Sequence, residues 1–283
     1  MAMLLFVKLA LAPALVVGSS LAGRRWGHEV AGLLVALPLV AGPILLITDL
    51  ERGAHFASRA AAASMLGLVA LASFIVVFAR VSRHRGWVLA VAAGWVAFLI
   101  VALAFSTASI PAGVGLALAL VGFALAPRLM GADPHFEGVP VAALPAWDLP
   151  ARALATALLV LGLTGAAAGL GPTLTGVLTP FPISTAVLAA FVLALEGPPY
   201  ANALLHGFLR GAFGFTAFCF LVAVLLLPLG TVAAFVLALC GALAGQIAAR
   251  VLVGRGDRTA PDRSAAAADG PTHADVAAAR QEF

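Results

Sequence analysis

The chain has 283 residues, of which 63% are apolar and 10% charged, and its mean hydropathy is +1.11. Soluble domains are about a quarter charged, so a water-soluble fold is excluded, as is disorder over most of the length. The formal charge of +4 comes from bases scattered between apolar runs, which fits topology signals rather than a nucleic-acid surface, and Cys219 and Cys240, the only cysteines, sit inside apolar runs as small thiols and cannot frame a disulfide scaffold.

What remains is an all-α polytopic membrane protein. A bilayer core takes about 20 apolar residues per helix. Stretches of that kind lie near 3–22, 29–48, 59–81, 87–107, 110–129, 150–171, 173–193, 204–228 and 230–252, which predicts nine spans. The fourth and fifth are split at Ser106-Thr107-Ala108-Ser109-Ile110-Pro111, and the sixth and seventh at Gly169-Leu170-Gly171-Pro172-Thr173. The first span, followed by Gly18-Ser19-Ser20-Leu21-Ala22-Gly23, has the look of a signal-peptide core, but no basic segment precedes it and it has a counterpart later in the chain.

Nine spans put Arg24, Arg25, Arg80, Arg83, Arg85, Arg128, Arg250 and Arg255 on one side. The other side holds Arg52 and Arg59 beside Asp49 and Glu51. The positive-inside bias therefore predicts a multi-pass membrane protein with its N-terminus outside and its C-terminus in the cytoplasm. Residues 254–283 mix acids and bases with Ala, Pro and Gly, which predicts a disordered cytoplasmic tail.

Sliding the chain against itself by 144 positions aligns its halves without a gap. Six of the eight glycines in the first 90 residues (Gly18, Gly27, Gly32, Gly53, Gly67, Gly86) fall on Gly162, Gly171, Gly176, Gly197, Gly211 and Gly230. Chance would give about one. Pro38 falls on Pro182, Phe56-Ala57 on Tyr200-Ala201, and Lys8 on Arg152. Each repeat holds four helices, and five precede the second, so the repeats enter the membrane from opposite sides. The predicted organisation is a first transmembrane repeat (1–107), a connector helix and loop (108–149), a second, inverted repeat (150–253) and the tail. The small residues Gly18, Gly162, Gly67 and Gly211 are expected to allow close helix approach.

The best preserved stretches are Val30-Ala31-Gly32-Leu33-Leu34-Val35-Ala36-Leu37-Pro38 and Leu174-Thr175-Gly176-Val177-Leu178-Thr179-Pro180-Phe181-Pro182. Each is followed by an acidic–Gly loop, Asp49-Leu50-Glu51-Arg52-Gly53 or Glu196-Gly197. This pattern resembles the GlpM-like (YdgC-like) family of small bacterial inner-membrane proteins. The resemblance implies a fused two-copy version of a four-helix unit and supplies no catalytic residue.

Pro38 and Pro182 remove backbone hydrogen bonds at equivalent helix positions, and paired breaks of this kind point to a binding site in inverted-repeat carriers. Lys8 and Arg152 are cations in otherwise apolar helices. Lys8 shares a membrane face with Asp49 and Glu51, and Arg152 with Glu196, which suggests two acid–base gates or cationic ends that attract an anion. His206 and Arg210 are unique to the second half and four residues apart on one helix face, with Arg210 expected to pair with Glu196 or a carbonyl of the seventh span. Thr173, Thr175, Thr179, Ser184 and Thr185 add hydroxyls to that span, while the second offers Thr48.

No metalloprotease, nucleophile-elbow or phosphate-loop motif occurs, and His28, Glu29 and His55 have no ligand at helical spacing. The expectation is a non-enzymatic secondary transporter or permease without cofactor or metal, moving a small, anionic solute or a lipid by alternating access. The lipid bilayer and that substrate are its partners, with a homodimer as the oligomer considered. The alternative is a structural or assembly membrane protein without transport.

Overall fold

The computed structural model describes residues 2–106, 110–131, 145–166 and 177–258, and for 2–9, 163–166 and 249–258 the backbone alone. Among the described residues there are helices and turns and no strand. The order is α1 (Ala2–Trp26), α2 (His28–Val35), α3 (Ala41–Arg52), α4 (Ala54–Ser82), α5 (Trp87–Phe105), α6 (Ala112–Met130), α7 (Asp148–Ala166), α8 (Ile183–Leu195) and α9 (Pro198–Arg258). A break at Gly230, where φ is 75°, divides α9 into a first arm (198–229) and a second (231–258). Residues 1–247 form one compact unit, so both halves of the repeat share it. The unit 248–283 is helical through Arg258, and the rest of the predicted tail lies outside the described residues.

Helices α4, α5 and α6 and the stretch Pro198–Ala248 are long and apolar enough to cross a membrane. These four helices make a multi-pass membrane protein the reading the composition and the structure share. Helix α4 is buried on nearly all sides, with Phe74, Phe78, Leu68 and Met65 fully enclosed. Helices α5 and α6 and the second arm of α9 instead turn Val96, Ile100, Leu103, Val121, Val232 and Ile247 outward. An apolar exterior of this extent belongs against lipid.

The second predicted span is interrupted. Helix α2 stops at Val35, residues 36–40 form a turn containing Pro38, and α3 resumes at Ala41. At the equivalent place in the second half, Val177 and Leu178 are helical, Thr179 and Pro180 turn, and α8 starts after Pro182. The prolines therefore mark full breaks rather than kinks. In the first half, the helix before the break packs closely on its neighbour. A Cβ on Gly32 would lie 1.9 Å from the Leu204 carbonyl oxygen, so α2 lies backbone to backbone against α9.

Both halves keep the same glycine hinge. Gly53, between α3 and α4, has φ 85°, and its equivalent Gly197, between α8 and α9, has φ 102°. Backbone at these angles is open to glycine and strained for any residue with a Cβ.

Contacts fix the helix directions. Arg24, in the last turn of α1, reaches Asp148 in the first turn of α7, and Ser20, one turn earlier, meets Arg152, one turn later. Helices α1 and α7, the first helices of the two predicted repeats, thus run antiparallel. Helix α6 runs parallel to α4: Gly115 faces Met65, Gly122 faces Ala72, and Arg80 and Arg83 donate to the carbonyls of Leu129 and Gly131.

The halves also grip each other reciprocally. A Cβ on Gly67 of α4 would meet the Val177 carbonyl oxygen at 2.2 Å and Pro180 Cδ at 2.9 Å. A Cβ on Gly211, its equivalent in α9, would meet Ala36 Cβ at 2.5 Å and the Leu33 carbonyl oxygen at 3.1 Å. Leu33 and Ala36 are the residues 144 positions before Val177 and Pro180. Each half therefore lays its broken helix on the long helix of the other at one register. Among the described residues, a Cβ added at Gly18 or Gly162 would have no neighbour within 4 Å.

Candidate functional site

One end of the bundle gathers charged groups from both halves around a small cavity. Asp148, wholly buried, accepts from Arg24 Nη2 at 2.6 Å and from Arg152 Nε at 2.8 Å. Asp148 and Arg152 are one turn apart on α7, so their pairing is local, whereas Arg24 brings it a partner from the other half. Arg152 is 2% exposed, donates from Nη1 to Ser20 Oγ at 3.3 Å and lies over the Phe191 ring at 5.3 Å. Two guanidinium groups on one carboxylate satisfy the charge of Asp148, which alone would cost several kcal/mol at this depth.

The second pair on this end is His28 with Glu196, Nε2 to Oε2 at 2.8 Å. His28 opens α2 and also packs on Tyr200, with ring centroids 5.0 Å apart. Glu196 caps the C-terminus of α8, with its side chain 3% exposed. Ser20, Arg24, His28, Arg152 and Glu196 line the cavity, closed by Ala31, Leu188, Val192 and Leu204. Its volume is about 10 Å³, room for about one water molecule.

Of the predicted site residues, Arg152 and Glu196 are brought to this cavity, but not to each other. Arg152 takes Asp148 because that carboxylate sits one turn away on its own helix. The apolar run suggested a helix starting at 150, which left Asp148 in a loop. Arg210 pairs with Glu29 and not with Glu196 or the seventh span. The cause is the close crossing of α2 and α9, where a Cβ on Gly207 would lie 2.0 Å from the Glu29 carbonyl oxygen. His206 is half-buried one turn before Arg210. Pro38 and Pro182 sit in the two helix breaks, and Thr179 is half-buried in the second break.

Asp49 lies at the far end of α3, near the Gly230 break. It is 6% exposed and accepts from Thr231 Oγ1 at 2.6 Å, which ties the two halves there as well. Glu51 is exposed nearby. Lys8 falls within α1, with its side chain outside the described residues, so its expected pairing with Asp49 or Glu51 is not among the observed contacts. Thr173 and Thr175 also fall outside them. Thr48 donates to the Ile44 carbonyl at 2.7 Å, an ordinary back-bond within the helix.

Sequence reasoning missed Arg24, Asp148, His28 and Glu29 as site residues. Arg24 read as a topology charge, and the histidine and its neighbour read as isolated because their partners lie more than 100 residues away. No group of described His, Cys, Asp and Glu residues has the arrangement of a metal site. Chemically, the arrangement makes two latches, a charged one and a smaller hydroxyl–carboxylate one, both joining groups from opposite halves. No family model, curated protein or solved structure matches the chain.

Proposed function

We propose that the chain is a secondary transporter or permease of the bacterial inner membrane, with nine spans and its C-terminus in the cytoplasm. In this reading α1, the broken α2–α3, α4 and α5 form one four-span repeat, α6 is the connector, and the remaining helices form the inverted second repeat. That unit is the one implied by the resemblance to the GlpM-like family. The observation that carries the reading is the reciprocal seating of Gly67 on Val177 and Pro180 and of Gly211 on Leu33 and Ala36. Two equivalent halves that hold each other by equivalent contacts can exchange conformations, which is the basis of alternating access. The antiparallel run of α1 and α7 supports the inversion.

The charged cluster is then the cytoplasmic gate and the Asp49–Thr231 contact the outer one. The cavity among the residues of the charged gate has room for about one water molecule and none for a solute. A small anion or an amphipathic lipid is the substrate class that Arg24, Arg152 and Arg210 suit. The test is flux in proteoliposomes across a panel of small anions and labelled lipids. Wild type is expected to move at least one class, while Glu196→Gln and Arg210→Gln abolish that flux at normal expression. No flux for any class, with a cellular phenotype only on deletion of residues 259–283, would overturn the proposal in favour of a scaffold.

A further inference from the structure

We propose that this protein carries a binding site for an anionic phospholipid where α4 and α6 end beside the start of α5. The site needs a membrane around the helices and is independent of transport. Helix α4 leaves the Asp49 end after Gly53, so it finishes at the end of the charged cavity. There α5 starts, and α6, parallel to α4, also finishes. Trp26, Trp87 and Trp147 are all exposed at this end. Tryptophan collects where hydrocarbon meets headgroups, so these rings mark the level at which lipid phosphates stand.

The charge at that level is unbalanced. The acids described at this end of the 1–247 unit, Glu29, Asp148 and Glu196, are each bonded to Arg210, to Arg24 and Arg152, or to His28. Arg80, Arg85 and Arg128 are exposed and have no acid partner among the described residues. Their counter-charge comes from outside the chain.

Two of them are set on the end of α6. Arg80 crosses from α4 and donates from Nε to the Leu129 carbonyl at 2.7 Å, while Arg83 donates to the Gly131 carbonyl at 3.1 Å. These bonds cover carbonyls at a helix C-terminus, which would otherwise repel an anion. They also fix the Arg80 guanidinium one residue from Arg128, with its terminal nitrogens unbonded among the described residues. A guanidinium held in this way offers a phosphate two parallel donors with little further loss of side-chain freedom.

Beyond the cations the surface turns apolar along one line. Val121, Leu125 and Arg128 share a face of α6 at helical spacing, and all three are exposed. A phosphate on Arg80 and Arg128 with an acyl chain along Leu125 and Val121 matches this outline. Free phosphate would meet the cations and leave the apolar line bare, so the occupant is the lipid.

The test is native mass spectrometry of the full chain, released from mild detergent with equal amounts of dioleoylphosphatidylglycerol and dioleoylphosphatidylcholine. The acyl chains are identical, so a preference reports the headgroup. Wild type is expected to retain the anionic lipid preferentially. A basic side chain near anionic lipid is worth about five-fold in affinity, so Arg80→Gln and Arg128→Gln should each lower the preference by that factor. The double variant should bring it to parity. Arg128 has no hydrogen bond or ion pair among the described residues, so its variant decides the matter even if loss of the Arg80–Leu129 bond disturbs folding. Arg59→Gln, which removes an exposed cation at the opposite end of α4, should leave the preference unchanged. Excess glycerol phosphate should not displace the lipid. Equal retention of both lipids by wild type, a preference that survives the double variant, an equal loss in Arg59→Gln, or displacement by glycerol phosphate would each overturn the assignment.

Discussion

Alanine at Gly67 probes the contact between halves most directly. The added Cβ would lie 2.2 Å from the Val177 carbonyl oxygen and 2.9 Å from Pro180 Cδ, where ordinary contact begins at 3.4 Å. The obstacle is backbone and a proline ring, neither of which can swing aside, so α4 and the broken segment must separate by about 1 Å. Overpacking of this kind costs about 1–3 kcal/mol, here toward the upper end. Removing a helical glycine returns up to about 1 kcal/mol, which leaves a net loss of about 1–2 kcal/mol. Gly211→Ala meets Ala36 Cβ at 2.5 Å and is expected to cost a similar amount. Gly18→Ala and Gly162→Ala meet nothing described within 4 Å and are expected to be neutral or stabilising by up to about 1 kcal/mol. Unfolding of the four variants in mixed detergent micelles measures this. Equal stability of Gly67→Ala and Gly18→Ala would refute the packing argument, and harm from Gly67→Ala alone would refute the equivalence of the halves.

Other outcomes follow from the same geometry. Arg152→Leu leaves the wholly buried Asp148 with Arg24 alone and should destabilise the chain by about 3–5 kcal/mol in the same unfolding assay, much of it recovered when Asp148→Asn is added. Arg210→Gln removes a half-exposed pair with Glu29, so stability should change by less than about 1 kcal/mol while flux is lost. Gly53→Ala and Gly197→Ala force a Cβ onto φ of 85° and 102°, and each should cost about 1–3 kcal/mol by thermal unfolding.

The positions of the helices were legible because a bilayer-length apolar run is a strong signal. Helices α1, α5, α6 and α7 begin within two residues of a predicted span, whereas α8 covers only the end of the stretch at 173–193, and Pro38 and Pro182 stand in the two helix breaks. The close approach of Gly32 to Leu204 was not legible, because it is a contact between distant segments. The glycine register paired Gly67 with Gly211, which make equivalent close contacts, while Gly18 and Gly162 have no neighbour within 4 Å among the described residues. Arg152 and Glu196 announced themselves as charges at apolar helix ends. Their partners did not, because Asp148 lay beyond the apolar run and His28 is brought to Glu196 only by the meeting of two broken helices.

Leu50 and Ala194 occupy equivalent positions, 144 residues apart, at the ends of α3 and α8, and both are exposed. Single cysteines at these positions, in a chain without Cys219 and Cys240, can be labelled in intact cells with a membrane-impermeant maleimide, before and after permeabilising the inner membrane. Labelling of Leu50→Cys from outside and of Ala194→Cys only after permeabilisation is the predicted result. Labelling of both from the same side would contradict it.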